Sequence, residues 1–301
     1  MKRNVLTAAL AKKLVYRVFY LATIYIIIIG LSFMIIYPYL TKIVSSFMSI
    51  SDLTDPTVWY IPKGIDLYFW RRAIDTMKLS TSFANTFGLA FAAMVLQIFT
   101  SSFVGYGFAR FKFRGANLLF FLVIFTMLIP YTTVLLPYFI RFRFFNLIFT
   151  EVNLLNTAWP IIILSLTGLG LKNGLFIYIM RQFFRGMPIE LEEAAYIDGC
   201  GYFKTFFYII VPNSVPSMLT VALFAFSWQW TDISFTPILY PAFQTLAYTI
   251  TAAIGAIETD PIAVSSMQNI GVLIIIVPLV VLFLGAQKYF IQGIERSGIT
   301  S

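Results

Sequence analysis

Apolar residues in this chain gather in six long stretches, near residues 17–39, 86–109, 117–140, 158–180, 213–237 and 267–290, with polar and charged residues held mostly between them. A helix needs about 20 predominantly apolar residues to cross the hydrocarbon core of a bilayer. The pattern therefore predicts an all-α integral membrane protein with six transmembrane helices. It divides the chain into an N-terminal segment at 1–16, a transmembrane domain at 17–290 and a tail at 291–301. The third stretch holds Pro130 and Pro137 with Thr132 and Thr133 between them. It is expected to kink, its freed backbone groups met by neighbouring helices or water, and so to take an inner position.

Composition strengthens this reading and removes several alternatives. With 59% hydrophobic residues, 11% charged residues and a mean hydropathy of +0.86, the natural solvent for most of the surface is lipid. The chain has no histidine and one cysteine, Cys200, which excludes a multi-Cys or His zinc site, a Ser-His-Asp triad and an intrachain disulfide. The net charge of +8 sits at the edges of the apolar stretches rather than in one patch, so it speaks for membrane orientation and not for nucleic acid. The basic start, Lys2, Arg3, Lys12, Lys13 and Arg17, precedes an apolar run too long for a signal peptide and reads as an uncleaved first span. Placing that start inside also puts Arg110, Lys112, Arg114, Arg181, Arg185, Lys204, Lys288 and Arg296 inside, an excess over the other side. Both termini and the segment at 181–216 are thus expected in the cytosol.

That segment is the one long polar insertion between apolar stretches on the inner side. Pro188 suits a first helical turn, and Glu190, Glu192 and Glu193 place negative charge at the positive end of the helix dipole. Ala194 and Ala195 continue the helix with small side chains, and Gly199 can end it with a left-handed residue. A second helix is predicted from Tyr202 to about Ile210, with Pro212 and Pro216 breaking the chain before it turns apolar again.

Glu193-Ala194-Ala195, then Gly199, Ile209 and Pro212 fall at the spacings of the Glu-Ala-Ala coupling loop, with Val211 where leucine is usual. In these residues the chain resembles the permease subunits of binding-protein-dependent ABC importers, with the type I permease fold. The flanks Arg181-Gln182-Phe183-Phe184 and Tyr196-Ile197-Asp198 resemble the maltose and multiple-sugar branch. Gly105-Tyr106-Gly107, the stretch at 127–137 and the ending Gln287 to Ile294 resemble it too. The resemblance implies a bacterial plasma-membrane subunit that forms a sugar pathway with a second, non-identical permease. It implies two ABC ATPase subunits and an external solute-binding lipoprotein as further partners. A coupling loop at 181–212 would meet the ATPases through Glu192, Glu193, Ala194, Ala195, Asp198, Gly199 and Pro212. No cofactor is expected in this chain. No Gly-x4-Gly-Lys-Ser/Thr loop occurs, so ATP and Mg belong to the partner ATPases and the chain is expected to be a transport subunit rather than an enzyme.

Importers of amino acids, phosphate or metals share the Glu-Ala-Ala loop, and the aromatic, charge-poor fifth stretch favours sugar over them. A polytopic transferase would need clustered carboxylates or a nucleophile and base near the interface, and a secondary transporter would often show inverted repeats; neither pattern is present. Polar residues inside the stretches are functional candidates, because an ionisable group at mid-membrane costs about 2.5–3.5 kcal/mol on insertion scales. They are Lys172 in the fourth stretch, and Trp228, Gln229 and Asp232 in the fifth. Trp228 and Asp232, four residues apart, are expected on one helical face, either with the ring stacking on a pyranose and the carboxylate bonding its hydroxyls, or with Trp228 and Trp230 as interfacial anchors and Asp232 paired with a basic residue of the partner permease. The first outer loop, 41–85, reads either as an amphipathic lid or as a partner surface. The last outer loop, 240–266, is by family resemblance the one that faces the external binding protein.

Overall fold

The computed structural model describes residues 2–147 and 150–298. It opens with α1 (Lys2–Ser45), the short α2 (Ile50–Thr54), α3 (Tyr68–Thr76) and α4 (Leu79–Arg110). Then come α5 (Ala116–Leu128), α6 (Tyr131–Arg143), an antiparallel hairpin of β1 (Phe145–Leu147) and β2 (Thr150–Val152), α7 (Trp159–Leu166) and α8 (Asn173–Gly186). The segment expected to couple holds α9 (Glu190–Ile197), α10 (Tyr202–Thr205), a π-helical turn (Phe206–Ile210) and α11 (Val211–Asn213). The chain closes with α12 (Val215–Trp230), α13 (Phe235–Leu239), α14 (Leu246–Ile257) and α15 (Pro261–Gly298).

Among the described residues three helices are long and apolar enough to cross a membrane: Lys13–Ser45 within α1, α4, and Pro261–Lys288 within α15. Two bent pairs raise the number to five if each is one broken span. One is α5 with α6, broken by 102° at Pro130, so the kink expected from the proline is a full change of direction. The other joins Tyr202–Asn213 to α12 at 75°, and the bend falls at Ser214, between Pro212 and Pro216. The fourth stretch is not one helix. Gly168 (φ 79°) and Lys172 (φ 59°) turn the chain between α7 and α8, neither of which reaches the length of a span alone. The fifth stretch ends as a helix at Trp230, short of the expected 237.

In the segment after α1, α3 is amphipathic and lays Phe69 and Ala73, with Met77 beyond it, against Leu246, Ile250, Met267 and Ile270 of α14 and α15. Its apolar face is therefore satisfied by protein. A second core, toward the other end of α4, gathers Tyr106, Phe176, Met180, Phe184, Phe206 and Ile210. Helix α4 runs between the two cores and packs most extensively on α8 and α12.

Lipid tails are as apolar as leucine, so these helices are held by close packing and internal hydrogen bonds rather than by exclusion from water. Hydroxyls on α4 follow that rule: Thr86 Oγ1 donates to Ser82 O at 2.6 Å, and Ser101 Oγ to Gln97 O at 2.6 Å. On α4 close approach falls at Gly105, where an added Cβ would lie 2.9 Å from Arg181 N and from Met180 Cβ of α8. Gly107, two residues on, has open space instead. Gly105→Ala should therefore lower stability by about 1–3 kcal/mol through overpacking, while Gly107→Ala should be neutral or mildly stabilising. Thermal unfolding of the two purified variants in one detergent checks the difference.

Candidate functional site

Helix α9 is short, acidic at its start and closed by a complete Schellman cap. Gly199 stands at φ 80°, its N–H donates to Tyr196 O at 3.0 Å, and Cys200 N–H donates to Ala195 O at 2.9 Å. Glycine is required there for the left-handed backbone, since a Cβ would otherwise meet nothing within 4 Å. The helix has two unlike faces. Glu193, Ala194, Asp198 and Gly199 face outward with Ile197, which is 85% exposed. Ala195 and Glu192, 2% and 4% exposed, face the body of the protein.

Glu192 is an acid buried for a reason visible in the geometry. Arg110 Nε, at the end of α4, lies 2.6 Å from its Oε1, and the Tyr106 hydroxyl donates to its Oε2 at 3.1 Å. Arg110 also donates from Nη2 to Met187 O at 2.7 Å, fixing the chain just ahead of α9. Tyr106 and Arg110 stand one helical turn apart and so share a face. The rim of this cluster is aromatic: Tyr196 meets Tyr202 edge to face at 5.3 Å, and partial burial pushes the Tyr196 phenol up, keeping it neutral. Pro212 falls in the first turn of α11, directly after the π-helical turn in which Val211 N–H reaches back to Phe206 O. A wider turn accommodates the proline ring, which in a regular helix clashes with the carbonyl four residues back.

The pathway candidates do not converge. Lys172 lies in the turn between α7 and α8 and lines a cavity of about 290 Å³ with Thr126, Tyr131, Tyr138, Asn173 and Phe235. The break between α5 and α6 and the turn between α7 and α8 thus open onto one space. Asn173, almost fully buried there, has neither side-chain atom hydrogen-bonded. Trp228, Gln229 and Asp232 do not line this cavity. Trp228 stacks between Phe176 and Phe224 at 5.7 and 5.5 Å. Gln229 is buried and donates to Thr236 Oγ1 at 2.9 Å. Asp232 lies beyond the end of α12, so it does not share a helical face with Trp228; its carboxylate accepts from Ser234, Phe235 and Thr236 N–H and starts α13.

Sequence reading missed Tyr106, Arg110 and Asn173 as site residues. Arg110 was visible only as a charge at a span end.

Long apolar helices, two sharply bent helix pairs and a short acidic helix on a polar loop make up a helical fold with elements of membrane-crossing length. The match over residues 97–296 to the family described as binding-protein-dependent transport system inner membrane component is specific, and the chain belongs to that family. The osmoprotective compounds uptake permease protein GgtD of Synechocystis is 31% identical over 293 residues, covering 92% of each chain. The maltodextrin transport system permease protein MalD of Streptococcus pneumoniae is 28% identical, covering 91% of this chain and 93% of that one. The arabinooligosaccharides transport system permease protein AraQ of Halalkalibacterium halodurans is 26% identical, covering 89% and 92%. Among solved structures, a chain of a bacterial ABC transporter involved in the import of the acidic polysaccharide alginate shares the fold. Its TM-score is 0.71 at 21% identity, over 89% of this chain and 96% of that one.

Because the Asp232 carboxylate caps the turn into α13, Asp232→Ala should cost about 0.5–2 kcal/mol of stability, and Asp232→Asn, which keeps one acceptor, less. Unfolding midpoints of the two variants, read beside the unaltered protein, check the order.

Proposed function

We propose that the chain is one of two non-identical permease subunits of a bacterial ATP-driven importer. With its partner it forms the path for a sugar or oligosaccharide delivered by an external solute-binding lipoprotein. In this reading it crosses the cytoplasmic membrane six times, α7 and α8 together counting as one broken span, with both termini in the cytosol. Two ABC ATPase subunits bind ATP and Mg and hydrolyse the nucleotide, and this chain contributes no ATP site.

One observation carries the coupling role: α9 presents Glu193, Ala194, Ile197 and Asp198 outward while Glu192 fastens its other face to α4. An isoleucine so exposed on a polar loop, beside acids, suits a protein cleft rather than water or lipid. ATP-driven closure of the ATPases would then move α9, and α9 would move the spans. Lys172 and its cavity are the best-supported part of the path, since a 290 Å³ space with tyrosines, a cation and an unpaired amide suits a hydroxylated ring. Trp228, stacked between two phenylalanines, and Gln229, bonded to Thr236, lie outside that cavity, while Asp232 holds the backbone of Phe235, which lines it.

The sugar class rests on relatives named for maltodextrin and arabinooligosaccharides. A second reading, import of a small osmoprotective solute, is favoured by the 31% identical relative. Purification of the tagged chain should bring with it a second permease and an ATPase, and Cys200, the only thiol, should cross-link to a cysteine engineered in the ATPase cleft. An ATPase that neither co-purifies nor cross-links would contradict the coupling role. Stimulation of hydrolysis by the binding protein loaded with oligosaccharides or with small osmoprotectants decides between the two cargoes.

A further inference from the structure

Helix α4 differs from every other long helical element of the described chain. Helices α1 and α15 each contain a proline, Pro38 and Pro278, while the α5–α6 and α11–α12 pairs are bent by 102° and 75°. Helix α4 has neither proline nor break over 32 residues, which at 1.5 Å per residue is about 48 Å. A rod of that length reaches from one face of a bilayer to the other.

Both ends of the rod are fastened by polar contacts in buried surroundings. At the α9 end, Arg110 and Tyr106 hold Glu192, and Arg110 holds Met187 O. At the opposite end, Thr86 Oγ1 accepts the N–H of Leu246, the first residue of α14, at 2.8 Å. Asn85 Nδ2 donates to Gln244 O at 3.1 Å just before it. Thr86 and Leu246 are both almost fully buried, so the bond has no water to compete with it. The far end of α14 is tied in turn to α3, by Arg72 Nη2 at 2.7 Å from Glu258 Oε2. An ordered chain of contacts thus runs from α9 through α4 to α14 and α3, without crossing a bend.

We infer that α4 is the transmission element of this subunit, with Glu192, Arg110 and Tyr106 as positioning residues at one end and Thr86 and Asn85 at the other. A displacement of α9 tilts α4 as a unit and re-aims the start of α14, and a displacement of α14 reaches α9 the same way. The broken helices, by contrast, absorb movement at their bends. The inference rests on the functional reading above, in which α9 meets an ATPase and the 240–266 loop meets the external binding protein.

The test uses the complete complex reconstituted in vesicles, with hydrolysis measured with and without the loaded binding protein and normalised to assembled complex. Glu192→Gln and Thr86→Val should each lower the ratio of stimulated to basal hydrolysis by about fivefold or more, within the usual range of coupling energies. The double variant should be no worse than the poorer single one, because both cut the same series link. Thr86→Ser, which keeps the acceptor, should restore the ratio. A purely structural role would reduce the amount of complex and leave the ratio alone. If Glu192→Gln does not assemble, Thr86→Val decides, and an unchanged ratio in it overturns the inference. Losses that multiply in the double variant overturn it as well. An unaltered complex that shows no stimulation at all overturns the functional reading, and this inference with it.

Discussion

A polar group placed in hydrocarbon has no water to fall back on, and much of this structure answers that constraint. Hydroxyls on α4 turn back to carbonyls one helical turn earlier, and Thr100 Oγ1 lies within 3.2 Å of the carbonyls of Ser165 and Leu166 on α7 as well as that of Leu96. Trp230 is wholly buried, with its indole N–H given to Ile275 O at 3.2 Å. Asp232 sets its charge among three backbone N–H groups rather than against a cation. The same constraint makes the Arg110–Glu192 pair consequential. Removing one member of a buried ion pair strands the other, at a cost of roughly 3–5 kcal/mol, so the contact resists loosening during any motion of α9.

Several departures from regular helix border open spaces. The break at Pro130 and the turn between α7 and α8 open on one cavity, and the π-helical turn lines another of about 400 Å³ with Phe103, Tyr202 and Phe203. The turn between α7 and α8 and the bend before α12 both adjoin helices that pack on the unbent α4.

Much of this was legible from residue order. Apolar runs located α1, α4 and α15, prolines located both sharp bends, and the glycine at 199 located the end of α9. The illegible features are those that depend on which residues meet across the fold. Lys172 looked like a lysine inside a span because its neighbours are apolar, whereas the two left-handed residues that take it out of a helix follow from packing. Asp232 looked like a partner for Trp228 because four-residue spacing assumes a helix that in fact stops at Trp230. Glu192 and Glu193 are chemically identical in sequence, and only the direction in which α9 lies on α4 separates a buried strut from an exposed acid.

The backbone at Lys172 carries one more consequence. A residue with a Cβ in the left-handed region sits about 1–2 kcal/mol above the right-handed alternative, and glycine would sit there at no such penalty. The chain uses glycine at 168 and 170 of the same turn, so the residue type was available to it. Lysine in that conformation carries a local cost that glycine would not, and Lys78 ahead of α4 (φ 46°) carries the same one, so α4 and α8 each leave their loops from a strained, left-handed lysine.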